Sequence, residues 1–213
     1  MDLIKKYFPT LDARQLEQLT ALGPLYEGWN QKINVISRKD MEHFYEHHVL
    51  HSLSIAANFS FPSNYQVMDL GSGGGFPGIP LAIFFPHVHF HMVDSIGKKL
   101  KVVENIAAKI DLRNTSVQHS RAEDIKGREF DLVVSRAVAP LKDLWEWSFP
   151  ILKIASKKDD KNGGPHGLIC LKGGDLKTEI AQSRCKPKLW GISQLFEEDF
   201  FKDKYLLFIS SQS

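Results

Sequence analysis

Apolar positions change their period once along this chain. Between residues 11 and 58 they recur at helical spacing: Asp12 can cap a segment carrying Leu16, Leu19 and Leu22, Gly23 and Pro24 are expected to interrupt it, and Asp40 is expected to open a further segment with Met41, Phe44, Val49 and Leu50. From Tyr65 onward short apolar runs alternate with amphipathic stretches. Strands are predicted near 65–70, 88–94, 114–118, 130–135, 167–172, 189–195 and 204–210, and helices near 79–85, 97–110, 141–152 and 174–183. Alternation of this kind builds a doubly wound, mostly parallel α/β sheet, here of seven strands, whose ligands sit outside the carboxyl ends of the strands. With 213 residues the chain suffices for one well-buried domain plus an extension: a helical extension over residues 1–60 and an α/β domain over 61–213. The polar stretch 156–166 (SKKDDKNGGPH) precedes a strand and reads as a solvated connection at the sheet edge away from the site.

The densest chemical signal is Tyr65 to Leu81, YQVMDLGSGGGFPGIPL, followed by an apolar run that ends in Asp94. Strand, glycine turn, helix, strand and terminal acid in this order describe a site where backbone approaches a small molecule closely. Gly73, Gly75 and Gly78 satisfy G-x-G-x-x-G, which makes a dinucleotide one candidate. Charge argues against it. A pyrophosphate needs free N–H groups and no neighbouring anion, yet Pro77 and Pro80 delete donors and Asp69 brings a carboxylate to the turn. Like charges about 4 Å apart in partly buried surroundings repel by roughly 4 kcal/mol. S-adenosylmethionine carries an ammonium and a sulfonium and no phosphate, so Asp69 would attract it, and Asp94 would accept hydrogen bonds from its ribose hydroxyls.

The chain is 43% apolar and 24% charged, with a formal charge of +2, which by itself does not decide for a nucleic-acid partner. Residues 151–190 hold nine Lys or Arg against four Asp or Glu, a local excess that suits a polyanion or a solvated face. Two cysteines, no signal-peptide core and no run of 18 apolar residues point to a reducing, cytoplasmic setting without a membrane span. His43, His47 and His51 fall on one helix face and His87, His89 and His91 on one strand face, but no cysteine or carboxylate completes a four-ligand pattern, so no metal is expected.

WNQKINVIS (Trp29–Ser37), DLGSGGGFPGIPL (Asp69–Leu81), VDSIGKK (Val93–Lys99), SRAED (Ser120–Asp124), DLVVSRAVAPL (Asp131–Leu141) and LKGGD (Leu171–Asp175) together closely resemble the glucose-inhibited division protein B family. Members of that family are bacterial class I, Rossmann-like methyltransferases that place a methyl group on N7 of a guanine in 16S ribosomal RNA. The resemblance implies that Gly71 and Phe76 touch S-adenosylmethionine, that Ala122 and Glu123 lie beside its adenine, that Asp94 holds the ribose, with Asp69 and Gly73 completing the turn, and that Arg136 serves both cofactor and target. The partner of Arg136 is then the methionine carboxylate, or the guanine O6 and a phosphate. Lys99 and Lys172 match basic positions of the motifs and are expected to meet RNA phosphates. His48 and Ser52 match the family, whereas His51 stands where an acid is usual and His47 where an arginine-like residue is usual. The implied partner is 16S rRNA or the 30S subunit, met by a monomer, and neither DNA nor a membrane.

Two absences around Arg136 agree with that target. No Asn/Asp-Pro-Pro-aromatic turn follows the strand, as enzymes acting on exocyclic amines commonly require, and neither Cys170 nor Cys185 follows a proline, as expected of a cytosine-carbon nucleophile. Guanine N7 has an in-plane lone pair and no proton to lose, so positioning and electrostatics suffice. Two other classes stay open on sequence alone: a methyltransferase of this fold acting on a protein or small molecule, and an RNA-binding assembly factor with a vestigial pocket.

Overall fold

The computed structural model describes residues 1–154 and 164–212. Helices α1 (Asp2–Tyr7), α2 (Ala13–Asn30) and α3 (Arg38–Met41), a π-helical turn (Tyr45–Leu50) and α4 (His51–Asn58) precede the sheet. Then come β1 (Gln66–Leu70), α5 (Gly78–Phe84), β2 (His89–Asp94), α6 (Gly97–Lys109), β3 (Thr115–His119), β4 (Leu132–Arg136), α7 (Leu141–Ser148), β5 (Gly167–Gly173), α8 (Lys177–Ser183), β6 (Lys188–Gly191) and β7 (Lys204–Ser210). Among the described residues seven strands form one sheet in the order β3-β2-β1-β4-β5-β7-β6, parallel except for β7, which runs antiparallel to both neighbours. The doubly wound, mostly parallel architecture is the one expected. Most of the loop predicted at 156–166 lies outside the described residues.

Strand alternation assigns each side chain a face. Val67, Phe90, Met92, Leu132 and Val134 pack under the N-terminal helices, α5 and α6, in one cluster with Ile4, Leu19, Leu22 and Leu53. Met68, Leu70, Val93, Val133 and Leu168 pack on the other face with Leu141, Leu144 and Leu176. The helices of residues 1–60 therefore share a core with the sheet. Polar contacts fasten them as well: Gln15 donates to the carbonyls of Ile83 and Phe84 at the end of α5, and Gln18 to that of Ile110 at the end of α6. These carbonyls lack intrahelical partners, so α2 caps two other helices. No helix among the described residues is long and apolar enough to cross a membrane.

Three local expectations are corrected. Helix α2 begins with the predicted Asp12 cap, in a reciprocal box with Gln15, but runs unbroken through Gly23 and Pro24. Pro24 cannot donate to the carbonyl of Thr20, and the Tyr45 hydroxyl does so instead at 2.8 Å. Gly23 makes room for it, because a Cβ there would lie 2.9 Å from that same hydroxyl. The pair is thus a seat for Tyr45 inside one helix. Ser37, not Asp40, caps α3, its Oγ accepting from the Asp40 N–H at 3.1 Å. The strand predicted at 189–195 ends at Gly191 and gives way to a 3-10 turn over Ile192–Gln194.

Tyr45→Phe keeps the ring and leaves the Thr20 carbonyl without its hydroxyl donor. It should lower stability by about 0.5–1.5 kcal/mol, seen as a shift of the urea midpoint at unchanged slope.

Candidate active site

The sheet reverses direction of winding between β1 and β4, and a cavity of about 700 Å³ opens there at the carboxyl ends of the strands. Its floor is the glycine turn. Gly71 and Ser72 donate to the carbonyl of Val93 at 2.8 and 3.0 Å, which ties the turn to the end of β2. Gly71 has φ of 69°, and a Cβ on it would meet Val138 at 2.5 Å. Gly73, at φ of 55°, faces open space. Glycine is thus required at 71 by conformation and contact together, and at 73 by conformation.

Asp94 is held from both sides: Oδ2 accepts from Gly73 N–H at 2.8 Å and Oδ1 from Ile96 N–H at 2.8 Å. Each oxygen keeps lone pairs toward the cavity, suited to two adjacent hydroxyls. Around it lie Ile96, Lys99 and the 120–123 segment, with Ala122 and Glu123 in a short 3-10 turn; Val138 and Trp147 also line the cavity. Ile96 and Val138 are 47% and 43% exposed, apolar surfaces left open in a polar cavity.

Asp69 stands elsewhere than expected. Its side chain shares the face of Val67, is fully buried beneath the turn, and does not line the cavity. Oδ2 accepts from Gly78 N–H at 2.7 Å, and a Cβ on Gly78 would lie 2.6 Å from that oxygen. The carboxylate therefore couples the glycine turn to the start of α5 from below. Burial pushes its pKa up to about 7, against the opposing pulls of the Gly78 N–H and Arg136.

Arg136 ends β4 on the same face as Asp69, since Asp69 pairs with Val134 two residues earlier. Its Nη2 donates to His48 Nδ1 at 2.9 Å and its Nη1 to the carbonyl of His47 at 3.2 Å, both on the π-helical turn. The guanidinium carbon lies 5.1 Å from the centre of the Phe76 ring. Burial lowers its pKa to about 10, still charged at neutral pH, with Asp69 favouring the charge. Phe76 is itself buried against Tyr26, Phe44 and His48, and the Tyr26 hydroxyl donates to the carbonyl of Gly74 at 2.5 Å. Behind the switch point Ser135 Oγ donates to the carbonyl of Leu70 at 2.9 Å, where the pairing of β1 with β4 stops.

Gly71, Gly73, Phe76, Asp94, Lys99, Ala122, Glu123 and Arg136 thus meet in one cavity, whereas Asp69 and Lys172 do not line it. Lys172 donates to the carbonyl of Ala139 and to Glu179 Oε1, at 2.5 and 2.7 Å, and Glu179 Oε1 also accepts from Leu141 N–H at 2.7 Å. This strut braces the segment after Arg136. Sequence pattern offered no signal for Ser72, Val138 or Trp147 at the cavity. Tyr26 continues the apolar stripe of Leu19 and Leu22, so it reads as core.

The two histidine sets separate. His87 precedes β2 and contacts the carbonyl of Phe61, His89 is exposed, and His91 is buried between Ser116 and Gln118. His43, Glu46 and His47 bring ligand atoms within 4.8 Å, but the two imidazoles lie face to face at 4.8 Å and 19°, so their in-plane lone pairs do not converge.

Comparison with known proteins decides the family. The profile of GidB, rRNA small subunit methyltransferase G, matches residues 15–204. The chain belongs to this family. It is 53% identical to the ribosomal RNA small subunit methyltransferase G of Phocaeicola vulgatus, covering 99% of this chain and 98% of that one. It is 52% identical to the protein of the same name from Bacteroides thetaiotaomicron, covering 98% of each. The fold resembles an rRNA methylase structure from Streptococcus thermophilus, with a TM-score of 0.51 at 13% identity over 76% of this chain and 93% of that one. The GidB site fits S-adenosylmethionine: the turn holds glycine where a side chain would intrude, Asp94 offers free lone pairs, and the buried Ser72 hydroxyl at the cavity has no partner among the described residues.

A carboxyl group raised in the folded state contributes stability that is full below about pH 4 and is lost as pH rises through about 7. Asp69→Asn keeps an acceptor for Gly78 and abolishes the titration. Its urea midpoint relative to wild type should rise steadily between those limits; a constant difference would place the carboxylate in an ordinary environment.

Proposed function

We propose that this chain transfers the methyl group of S-adenosylmethionine to N7 of a guanine in 16S rRNA. The observation that carries the proposal is the single cavity in which the glycine turn, Asp94 and Arg136 meet, in a chain of the rRNA small subunit methyltransferase G family. S-adenosylmethionine supplies an electrophilic methyl on a sulfonium. Asp94 orients the ribose, Gly71 and Gly73 admit the methionine end close to backbone, and Ala122 and Glu123 border the adenine. Arg136 holds a carboxylate or the guanine edge with the N–H groups that His47 and His48 leave free. No residue has to remove a proton, because N7 carries none, so rate enhancement comes from alignment and from excluding water.

We assign Lys99, half-buried at the cavity, to an RNA phosphate, and Lys172 to bracing the wall beyond Arg136. In RNA-binding titrations at several salt concentrations, Lys99→Ala should reduce the slope of log affinity against log salt by about 1. Lys172→Ala should leave the slope unchanged and lower the methylation rate. A slope lowered by the second substitution would restore Lys172 to the RNA contact.

Asp94→Ala should weaken S-adenosylmethionine binding by about 1.5–3 kcal/mol in titration calorimetry. Modified 16S rRNA should be cut by borohydride and aniline at one guanine, because 7-methylguanosine is cationic and its ring opens. Methyl label that stays in protein after RNase treatment and is absent from RNA would overturn the assignment in favour of a protein substrate.

A further inference from the structure

Two large apolar side chains at the cavity are exposed, Ile96 and Val138, and the sheet puts them on opposite sides of it. In the order β3-β2-β1-β4 the glycine turn after β1 lies between the segments that follow β2 and β4, whose strands are about 10 Å apart. Asp94 and Ile96 stand at the end of β2, and Ala122 and Glu123 follow β3, so the adenosine end of the cofactor finds its ribose acid, its adenine border and an apolar contact on that side. Val138 follows β4 on the other side, next but one to Arg136, and the adenosine leaves it uncovered. Its placement is built. Ala137 has φ of 52°, a left-handed conformation unfavourable to any residue with a Cβ and kept only where the surroundings fix it. Here Lys172 donates to the carbonyl of Ala139, and Leu141 N–H donates to Glu179 Oε1 at 2.7 Å. The Val138 methyl groups lie over Gly71, where a Cβ would meet them at 2.5 and 2.7 Å, and the side chain is still 43% exposed. A scattered surface valine needs no explanation, but one held by a strained backbone and an ion pair at the mouth of a cavity does.

We propose that Val138 is the platform on which the face of the target base rests during methyl transfer. This rests on the functional reading above and adds the residue that sets the plane of the base. With adenosine over the ends of β2 and β3 and the methionine arm crossing the glycine turn, the acceptor of the methyl group has to come from the β4 side, where Val138 stands. A base brought to the methyl leaves its stack, and an apolar surface replaces part of the contact that its faces lose. The N7 lone pair lies in the ring plane, so the edge has to stay open to the methyl and the ring is best held by its face. Valine does this without a polar atom, while the neighbouring arginine serves the edge or the carboxylate. The strut from Lys172 to Ala139 then acts on the reaction through Val138.

The test is a cycle between one side chain and one base. Affinity is measured, with S-adenosylhomocysteine saturating, for 16S rRNA that carries either the guanine located by borohydride and aniline cleavage or an abasic residue in its place. The proteins are wild type, Val138→Ala, Val138→Thr and Val138→Ile. Val138→Thr keeps the branched shape over Gly71 and exchanges one methyl group for a hydroxyl, so it leaves no hole beneath. On intact RNA, Val138→Ala and Val138→Thr should weaken binding about three- to tenfold, and Val138→Ile should stay within about twofold of wild type. On abasic RNA all four proteins should bind alike, because the partner of the side chain is gone. Equal losses on both RNAs would show that the substitutions act through the cofactor or the fold, and would overturn the contact. Unchanged affinity of Val138→Ala and Val138→Thr on intact RNA would overturn it as well. Absence of the cleavage in RNA treated with wild type would instead remove the guanine-N7 reading on which the contact rests.

Discussion

A guanidinium at the end of a central strand, half-withdrawn from water beside a buried carboxylate, is the constraint around which this site is built. Taking a charge out of water is expensive unless polar partners replace the hydration shell. For Arg136 those partners are the carbonyl of His47, the imidazole of His48 and the face of Phe76, with the field of Asp69 beneath. The first two belong to the helices that precede the sheet. A sheet without those helices would leave the same arginine either solvated or unpaired. The N-terminal elements are therefore part of the site's electrostatics as well as its cover.

The glycine turn obeys a related economy of contacts. Its backbone is fixed by Val93, Asp94 and Tyr26 from three directions, and its link to α5 by Asp69 from below. Asp94 is the member that both holds the turn and faces the cavity, so the group proposed to orient the ribose is already immobilised before a ligand enters. Preorganisation of this kind reduces the ordering cost of binding. Asn30 does the equivalent work for the opposite wall: its Oδ1 accepts from Val35 and Ile36, and both of those residues line the cavity.

Features carried by residue type at short range were legible in the sequence. The turn glycines and the acid closing β2 declare themselves through spacing, the arginine closing β4 through the family motif that it matches, and the alternation of strands and helices places all three at one sheet end. What could not be read depended on which face a distant element covers. Asp69 has the chemistry of a cofactor ligand, but it lies on the strand face that α2 and α5 bury, so it works through backbone. Lys172 has the charge of a phosphate contact, but Glu179, seven residues along, takes that charge. Pro24 has the character of a helix breaker, and only the arrival of Tyr45 from 21 residues later makes it tolerable. In each case the residue's chemical character was legible, but its role was set by a partner that the local pattern does not show.

The π-helical turn shows how a small change in backbone period redistributes side chains with consequences for chemistry. In a regular α-helix residues four apart stay on one face, and His43, His47 and His51 would have formed a single stripe. With the wider turn at Tyr45–Leu50 each residue advances less around the axis. His47 is caught between His43 and Phe200, His51 turns to Phe200 and Phe201, and His48 comes round to Arg136 at the cavity. The arrangement puts a permanent charge and a neutral imidazole side by side at the cavity. Burial and the neighbouring guanidinium hold both His48 and His51 well below the ordinary histidine range, so neither adds positive charge near neutral pH. A reaction that moves a positive charge from sulfur to a purine is disfavoured by every additional cation near the purine, and two histidines kept neutral beside the cavity add none.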